Sequence, residues 1–110
     1  MEIHLTARHF RAPSILQDYV QAKISKLERF YEGIVRCDVI LTDEKTAKRS
    51  KKVEIKIKVY RSTLTSVVRS DGFSNGIVEA MEKLERQLVR YKSKLRERHN
   101  VRKPRTSLAA

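Results

Sequence analysis

Residues Phe73 to about Arg98 form one unbroken periodic stretch that the rest of the chain has to accommodate. Phe73, Ile77, Met81, Leu84, Leu88, Tyr91 and Leu95 recur at steps of three or four. That spacing keeps them on one face at 3.6 residues per turn, so the stretch predicts a helix roughly 40 Å long at 1.5 Å rise per residue. Lys83, Arg86, Arg90 and Lys94 recur at the same steps, roughly a quarter turn from the apolar stripe. One face can bury itself while its neighbour presents cations outward. Glu79 with Lys83 and Glu82 with Arg86 are expected as i,i+4 ion pairs. A solvated charged face is the ordinary reading of such a stripe. Here Lys83 to Arg98 holds seven bases against two acids, more cations than local pairing needs, whereas a face kept for solubility mixes the signs.

The imbalance extends to the whole chain. Its 110 residues carry 25 Lys and Arg against 13 Asp and Glu, a formal charge of +12. Such an excess opposes compactness and is common where the partner is a polyanion. Nucleic acid is the leading partner class, and a membrane is not expected, because the apolar stripes are committed to a core. The length fits one domain with a modest core. The single Cys37 excludes an internal disulfide and lies in an apolar run, as a small buried residue does. No signal peptide or long apolar segment is evident, and a cytoplasmic location is expected.

Ile3, Leu5 and Ala7 alternate with Glu2, His4 and Thr6, the pattern of a half-buried strand. Ser14 then reads as an N-cap with Gln17 completing a capping box. Leu16, Val20, Ile24, Leu27 and Tyr31 make a helical stripe flanked by Lys23 and Lys26. Gly33 reads as the C-terminal cap. Val35 to Thr42 is β-rich, with Cys37, Val39 and Leu41 inward. The polar stretch 43–52 holds Lys45, Lys48, Arg49, Lys51 and Lys52 against Asp43 and Glu44; solvation explains such a loop as well as phosphate contact does. Val53, Ile55, Ile57 and Val59 alternate cleanly with polar residues, and Leu64, Ser66 and Val68 point inward on a fourth strand. Tyr60 is expected on the open sheet face. After Asn100 no periodicity remains, and 100–110 is expected to be a disordered basic tail beside a folded unit at 1–99. The order β-α-β-β-β-α predicts an α+β fold: a four-stranded mixed sheet, first pair parallel, with both helices on one face. Glu2, His4, Lys56, Lys58 and Arg69 are then on the open face.

No catalytic or cofactor chemistry emerges. Three glycines form no phosphate loop. Cys37, His4, His9 and His99 have no metal-ligand spacing, and no Ser, His and Asp set reads as a triad. The chain is expected to be no enzyme, to bind no metal, cofactor or small-molecule substrate, and to be monomeric when free. The aromatics fall mostly at core positions, so recognition of nucleic-acid backbone and shape is expected rather than readout of splayed bases.

Ile3-His-Leu-Thr6, Ala22-Lys-Ile-Ser-Lys-Leu-Glu28, Val39-Ile-Leu-Thr-Asp-Glu-Lys45 and Lys83-Leu-Glu-Arg-Gln-Leu88, in that order and at that spacing, resemble the ribosome hibernation promoting factor family. This family includes protein Y and bears the older label of sigma-54 modulation protein. The resemblance spans about residues 1–98 and implies a fold similar to double-stranded RNA-binding domains. It also implies a non-enzymatic inhibitor of translation that binds the small ribosomal subunit near the decoding channel and promotes ribosome hibernation in stationary phase or stress. By the same analogy Lys23, Lys26, Lys83, Arg86 and Arg90 meet ribosomal RNA, joined by Lys94 on the same stripe. Lys45, Lys48, Arg49 and Lys51 are candidate loop contacts. Three departures stand out. Gly72-Phe-Ser-Asn-Gly-Ile77 replaces the family's acidic residue followed by Met-Tyr-Ala-Ala-Ile. No C-terminal domain like that of the long forms is expected. The tail is short and basic, so the chain looks like a short form. Two alternatives remain at this level: a modulator of a sigma factor or RNA polymerase, which would capture those proteins without RNA, and a generic double-stranded RNA binder, which would bind free duplexes.

Overall fold

In a computed structural model, residues 1–45 and 48–96 are described with their side chains, and 97–109 only as the continuation of a helix. The elements are β1 (Glu2–Arg8), α1 (Ser14–Phe30), β2 (Arg36–Asp43), β3 (Lys51–Val59), β4 (Ser62–Ser70) and α2 (Phe73–Ala109). The strand order is β1-β2-β3-β4, with β1 and β2 parallel and the other pairs antiparallel. Period-2 patterning sets the register, because a one-residue slip would turn every apolar side chain to solvent. The register lines the inward residues into rows: Ile3–Cys37–Ile57–Leu64, Leu5–Val39–Ile55–Ser66 and Ala7–Leu41–Val53–Val68. Val20, Ile24 and Leu27 of α1 and Ile77, Ala80, Met81, Leu84 and Leu88 of α2 join the same buried cluster, so both helices cover one face of the sheet. Ser66 completes the central row, and its buried hydroxyl has no partner among the described residues.

Several local expectations are corrected. Ser14 is the first residue of α1 rather than its cap. Pro13 takes the cap position in an extended conformation with no side-chain cap bond, and Gln17 donates Nε2–H to the Ala12 carbonyl at 3.0 Å instead of closing a box. Proline's fixed φ serves a helix start, where its missing N–H is no loss. The C-cap is Tyr31, extended at φ −153°, and Gly33 has no positive φ. Glycine is needed there for space: a Cβ would lie 2.5 Å from the Tyr31 ring. Gly76 works similarly in the first turn of α2. A Cβ at Gly76 would come within 2.8 Å of Val53 Cγ2, so the helix lies close on the sheet where the family pattern has alanine. Finally, α2 continues past Arg98 to Ala109. The tail expected to be disordered falls on residues whose side chains lie outside the described set.

The helices run in the same direction. Tyr19 Oη donates to the Ser74 carbonyl at 3.5 Å near their N-terminal ends. Further along, the Tyr31 and Tyr91 rings meet edge to face at 5.8 Å. The start of α2 is pinned by Phe10, whose ring stacks on Phe73 at 4.7 Å.

Candidate nucleic-acid interface

The two flanks of α2 have different neighbours, and its contacts identify them. Gln87 Nε2 donates to the Thr65 carbonyl at 2.8 Å and Tyr91 Oη to the Tyr60 carbonyl at 2.6 Å; this flank borders the β4 edge. Lys92 Nζ lies 5.2 Å from the Phe30 ring centre and 5.9 Å from that of Tyr31; this flank borders α1. Lys83, Gln87, Arg90 and Lys94 follow one another at steps of three or four residues, so the three cations lie on the β4 flank with Gln87, with Arg86 on the outer ridge. All four are exposed. None makes an ion pair among the described residues, so the expected Glu79–Lys83 and Glu82–Arg86 pairs do not form in the described geometry.

Lys23 and Lys26 belong to a separate row. Tyr19, Lys23, Lys26 and Phe30 recur at helical steps, and Tyr19 and Phe30 touch α2, so the two lysines follow the α1 edge of the interhelical groove. Lys23 Nζ sits 5.6 Å from the Tyr19 ring centre. The sequence reading did not single out Lys92 as a contact. Its side chain spans the same groove, and only the tertiary arrangement of α1 and α2 reveals this.

The loop cations lie elsewhere. Asp43 pairs with Lys51 and Lys51 with Ser70 in the register, so 44–50 is at the sheet end nearest the start of α2. The β3–β4 turn is at the other end. Lys45 and Arg49 have left-handed φ of 59° and 58°, and Lys45 donates its N–H to Asp43 Oδ1 at 3.1 Å. Lys45, Lys48 and Arg49 are exposed. Lys51 is not free for an outside ligand: Nζ bonds Asp43 Oδ2 at 2.8 Å and lies 5.6 Å from the Phe73 ring centre. A hydrogen bond from Lys51 holds Asp43 below its ordinary pKa. One from Arg69 does the same for Glu44. A hollow of about 480 Å³ beside this loop is lined by His9, Thr42, Asp43, Glu44 and Lys45. Its acids are already held by cations, which does not favour a metal or an acid–base pair.

At the opposite end the structure corrects the position of Tyr60. It lies in the two-residue turn between β3 and β4, beside α2, and not on the open sheet face. Arg61, its neighbour in the turn, has a left-handed φ of 62° and places its guanidinium 5.2 Å from the Tyr60 ring centre. A cleft of about 190 Å³ is lined by Tyr60, Arg61, Ser62, Tyr91, Lys94 and Leu95. It adjoins another of about 340 Å³ that Arg90 and Gln87 help to line. Burial pushes the Cys37 thiol up to about 12, which leaves it protonated and unreactive. Among the described residues no three His, Cys, Asp or Glu side chains form a metal-binding group, and no helix is long and apolar enough to cross a membrane.

The fold and the sequence are both shared with known proteins. The family model described as sigma 54 modulation protein / S30EA ribosomal protein matches residues 3–96. The chain belongs to that family. It is 30% identical over 104 residues to a ribosome hibernation promoting factor of Azotobacter vinelandii, covering 94% of each chain. It is 32% identical over 95 residues to a ribosome hibernation promotion factor of Bacillus subtilis, spanning 86% of this chain and 50% of that one. A ribosomal subunit interface protein from Coxiella burnetii superposes with a TM-score of 0.76 at 25% identity, covering 84% of this chain and 99% of that one. The N-terminal domain of Thermus thermophilus protein Y shares the fold, with a TM-score of 0.69 at 21% identity over 83% of this chain and 99% of that domain.

Proposed function

We propose that this chain binds the small ribosomal subunit through ribosomal RNA near the decoding channel, and holds ribosomes inactive in stationary phase or stress. The carrying observation is the set Lys83, Arg86, Arg90 and Lys94, exposed on one helix and without an ion pair among the described residues. Family membership and the relatives' names support the ribosome as the polyanion. Lys23 and Lys26 form a second row across α2, and Lys45, Lys48 and Arg49 a third group at the far sheet end. Residues 1–99 are the binding unit in this reading, which is non-enzymatic and cytoplasmic. The mechanism is electrostatic: each phosphate neutralised releases condensed counterions, so affinity falls steeply with salt.

The test is co-sedimentation of the purified protein with isolated small subunits across a salt series. Binding that weakens steeply with salt is expected, together with loss of translation in an extract at the same protein concentrations. Binding indifferent to salt, or capture of RNA polymerase or a sigma factor in place of subunits, would overturn the reading.

A further inference from the structure

We propose that the cleft between the β3–β4 turn and α2 holds one unpaired nucleotide, with its base stacked on Tyr60 and its phosphates on Arg90 and Lys94. The proposal rests on the ribosomal-RNA reading and adds to it a recognition mode that charge alone does not provide. Tyr60 is 62% exposed, although an aromatic ring gains most by burial. Nothing in the fold requires this side chain: the hydrogen bond that ties the turn to α2 is accepted by the Tyr60 backbone carbonyl, from Tyr91 Oη. Arg61 approaches the ring, and a cation on one side of a ring that stacks a base on the other is a recurring arrangement in single-strand binding. Tyr91, Leu95, Arg61 and Lys94 line the cleft with Tyr60, and Leu64 and Arg90 line the one adjoining it. Apolar surface, a free aromatic face and cations are the parts that bind a base and its backbone together. A duplex hides its base faces by stacking, so the ligand class is a single-stranded or bulged RNA nucleotide.

The test uses the full chain and a fluorescein-labelled hexa-adenylate RNA, with anisotropy measured at low salt. Wild type is expected to bind. Tyr60→Ala should weaken binding about fivefold or more, since a base stacked on an aromatic ring accounts for roughly that factor at least. Tyr60→Phe should stay within about twofold, because the ring face is kept. Thermal melts of both variants should match wild type. An abasic hexamer of equal charge should bind wild type and Tyr60→Ala alike. No binding of hexa-adenylate by wild type, or equal binding by wild type and Tyr60→Ala, overturns the proposal. So does equal binding of the abasic and adenylate hexamers. Small-subunit co-sedimentation of wild type, run in parallel, reports on the parent reading: its failure sinks that reading, whereas stacking without ribosome binding would leave a single-strand binder with another RNA partner.

Discussion

The two broad faces of this molecule treat much of their charge differently, although Lys56 and Lys58 on the sheet face also have no ion pair among the described residues. On the open sheet face Arg36 meets Asp38 at 2.9 Å, Lys52 meets Glu54 at 2.9 Å and Arg69 meets Glu44 at 2.8 Å. Asp38 and Glu44 hydrogen-bond to Arg36 and Arg69 and raise their pKa further. On the helical face Lys83, Arg86, Arg90 and Lys94 have no such partners among the described residues. An exposed ion pair contributes little stability, so pairing on the sheet serves less to hold the fold than to neutralise that surface. Cations left unpaired on α2 keep their full attraction for an outside polyanion. Net charge alone therefore does not distinguish the two faces; the distribution of acids around the cations does.

The strongest test of this contrast is charge reversal on α2. Lys83→Glu, Arg86→Glu and Arg90→Glu together should abolish co-sedimentation with small subunits while the domain stays folded, because none of the three belongs to the buried cluster. Each lost phosphate contact should lower the slope of log affinity against log salt by about 1. A folded triple variant that still pellets with subunits at ordinary salt would remove the α2 face from the interface. Leu84→Ala separates fold from binding on the same helix. Leu84 is fully buried, so about 2–5 kcal/mol of stability should be lost in urea unfolding, with affinity unchanged below the unfolding transition. A smaller loss would mean that the site collapses around the missing atoms.

Lys56 and Lys58 allow a matched comparison, since both are exposed on the sheet face. Lys56→Glu with Lys58→Glu changes the net charge as much as Arg86→Glu with Arg90→Glu. The sheet pair should weaken subunit binding only a few-fold, through long-range repulsion that salt screens beyond about 10 Å. Equal losses from the two pairs would mean that total charge, and not position, controls binding.

The fold was legible because two periods dominate the sequence. Val53 to Val59 alternates strictly, Ile77 to Leu88 repeats at helical steps, and each pattern has one inward solution. Chain ends of elements were less legible because geometry there depends on neighbours far away in sequence. Gly33 looked like a helix cap, yet its role is to leave room for the Tyr31 ring. Gly76 stood out as a departure from the family pattern, yet a Cβ there would come within 2.8 Å of Val53 Cγ2. At the site, the α2 cations were legible from spacing alone. The expected Glu79 and Glu82 pairs were not, since spacing permits a pair without forming it. Nor was Lys51's engagement by Asp43, eight residues away across a hairpin, or the placement of Tyr60 and Arg61 beside α2. Those depend on strand register, which brings the β3–β4 turn next to Tyr91.

Acid should expose the remaining difference between the faces, with the smallest effect of those considered. Asp43 and Glu44 sit below their ordinary values of 3.8 and 4.5 because Lys51 and Arg69 hydrogen-bond to their ionised forms. A carboxylate with a lowered folded-state pKa binds fewer protons folded than unfolded. Its stabilisation is therefore complete above the unfolded value and is lost as pH falls through the folded value. Thermal melts at constant ionic strength should show this contribution intact at neutral pH and shrinking once pH drops below about 4.5. Asp43→Asn with Glu44→Gln should melt slightly lower at neutral pH and lose less on acidification, so the two curves should draw together as pH falls. The gap should be small, because both pairs are partly solvated. Parallel melting curves for wild type and the double variant from pH 7 to pH 3 would mean that the Lys51 and Arg69 bonds do not hold these acids in solution, and the charge neutralisation drawn for that end of the sheet would have to be abandoned.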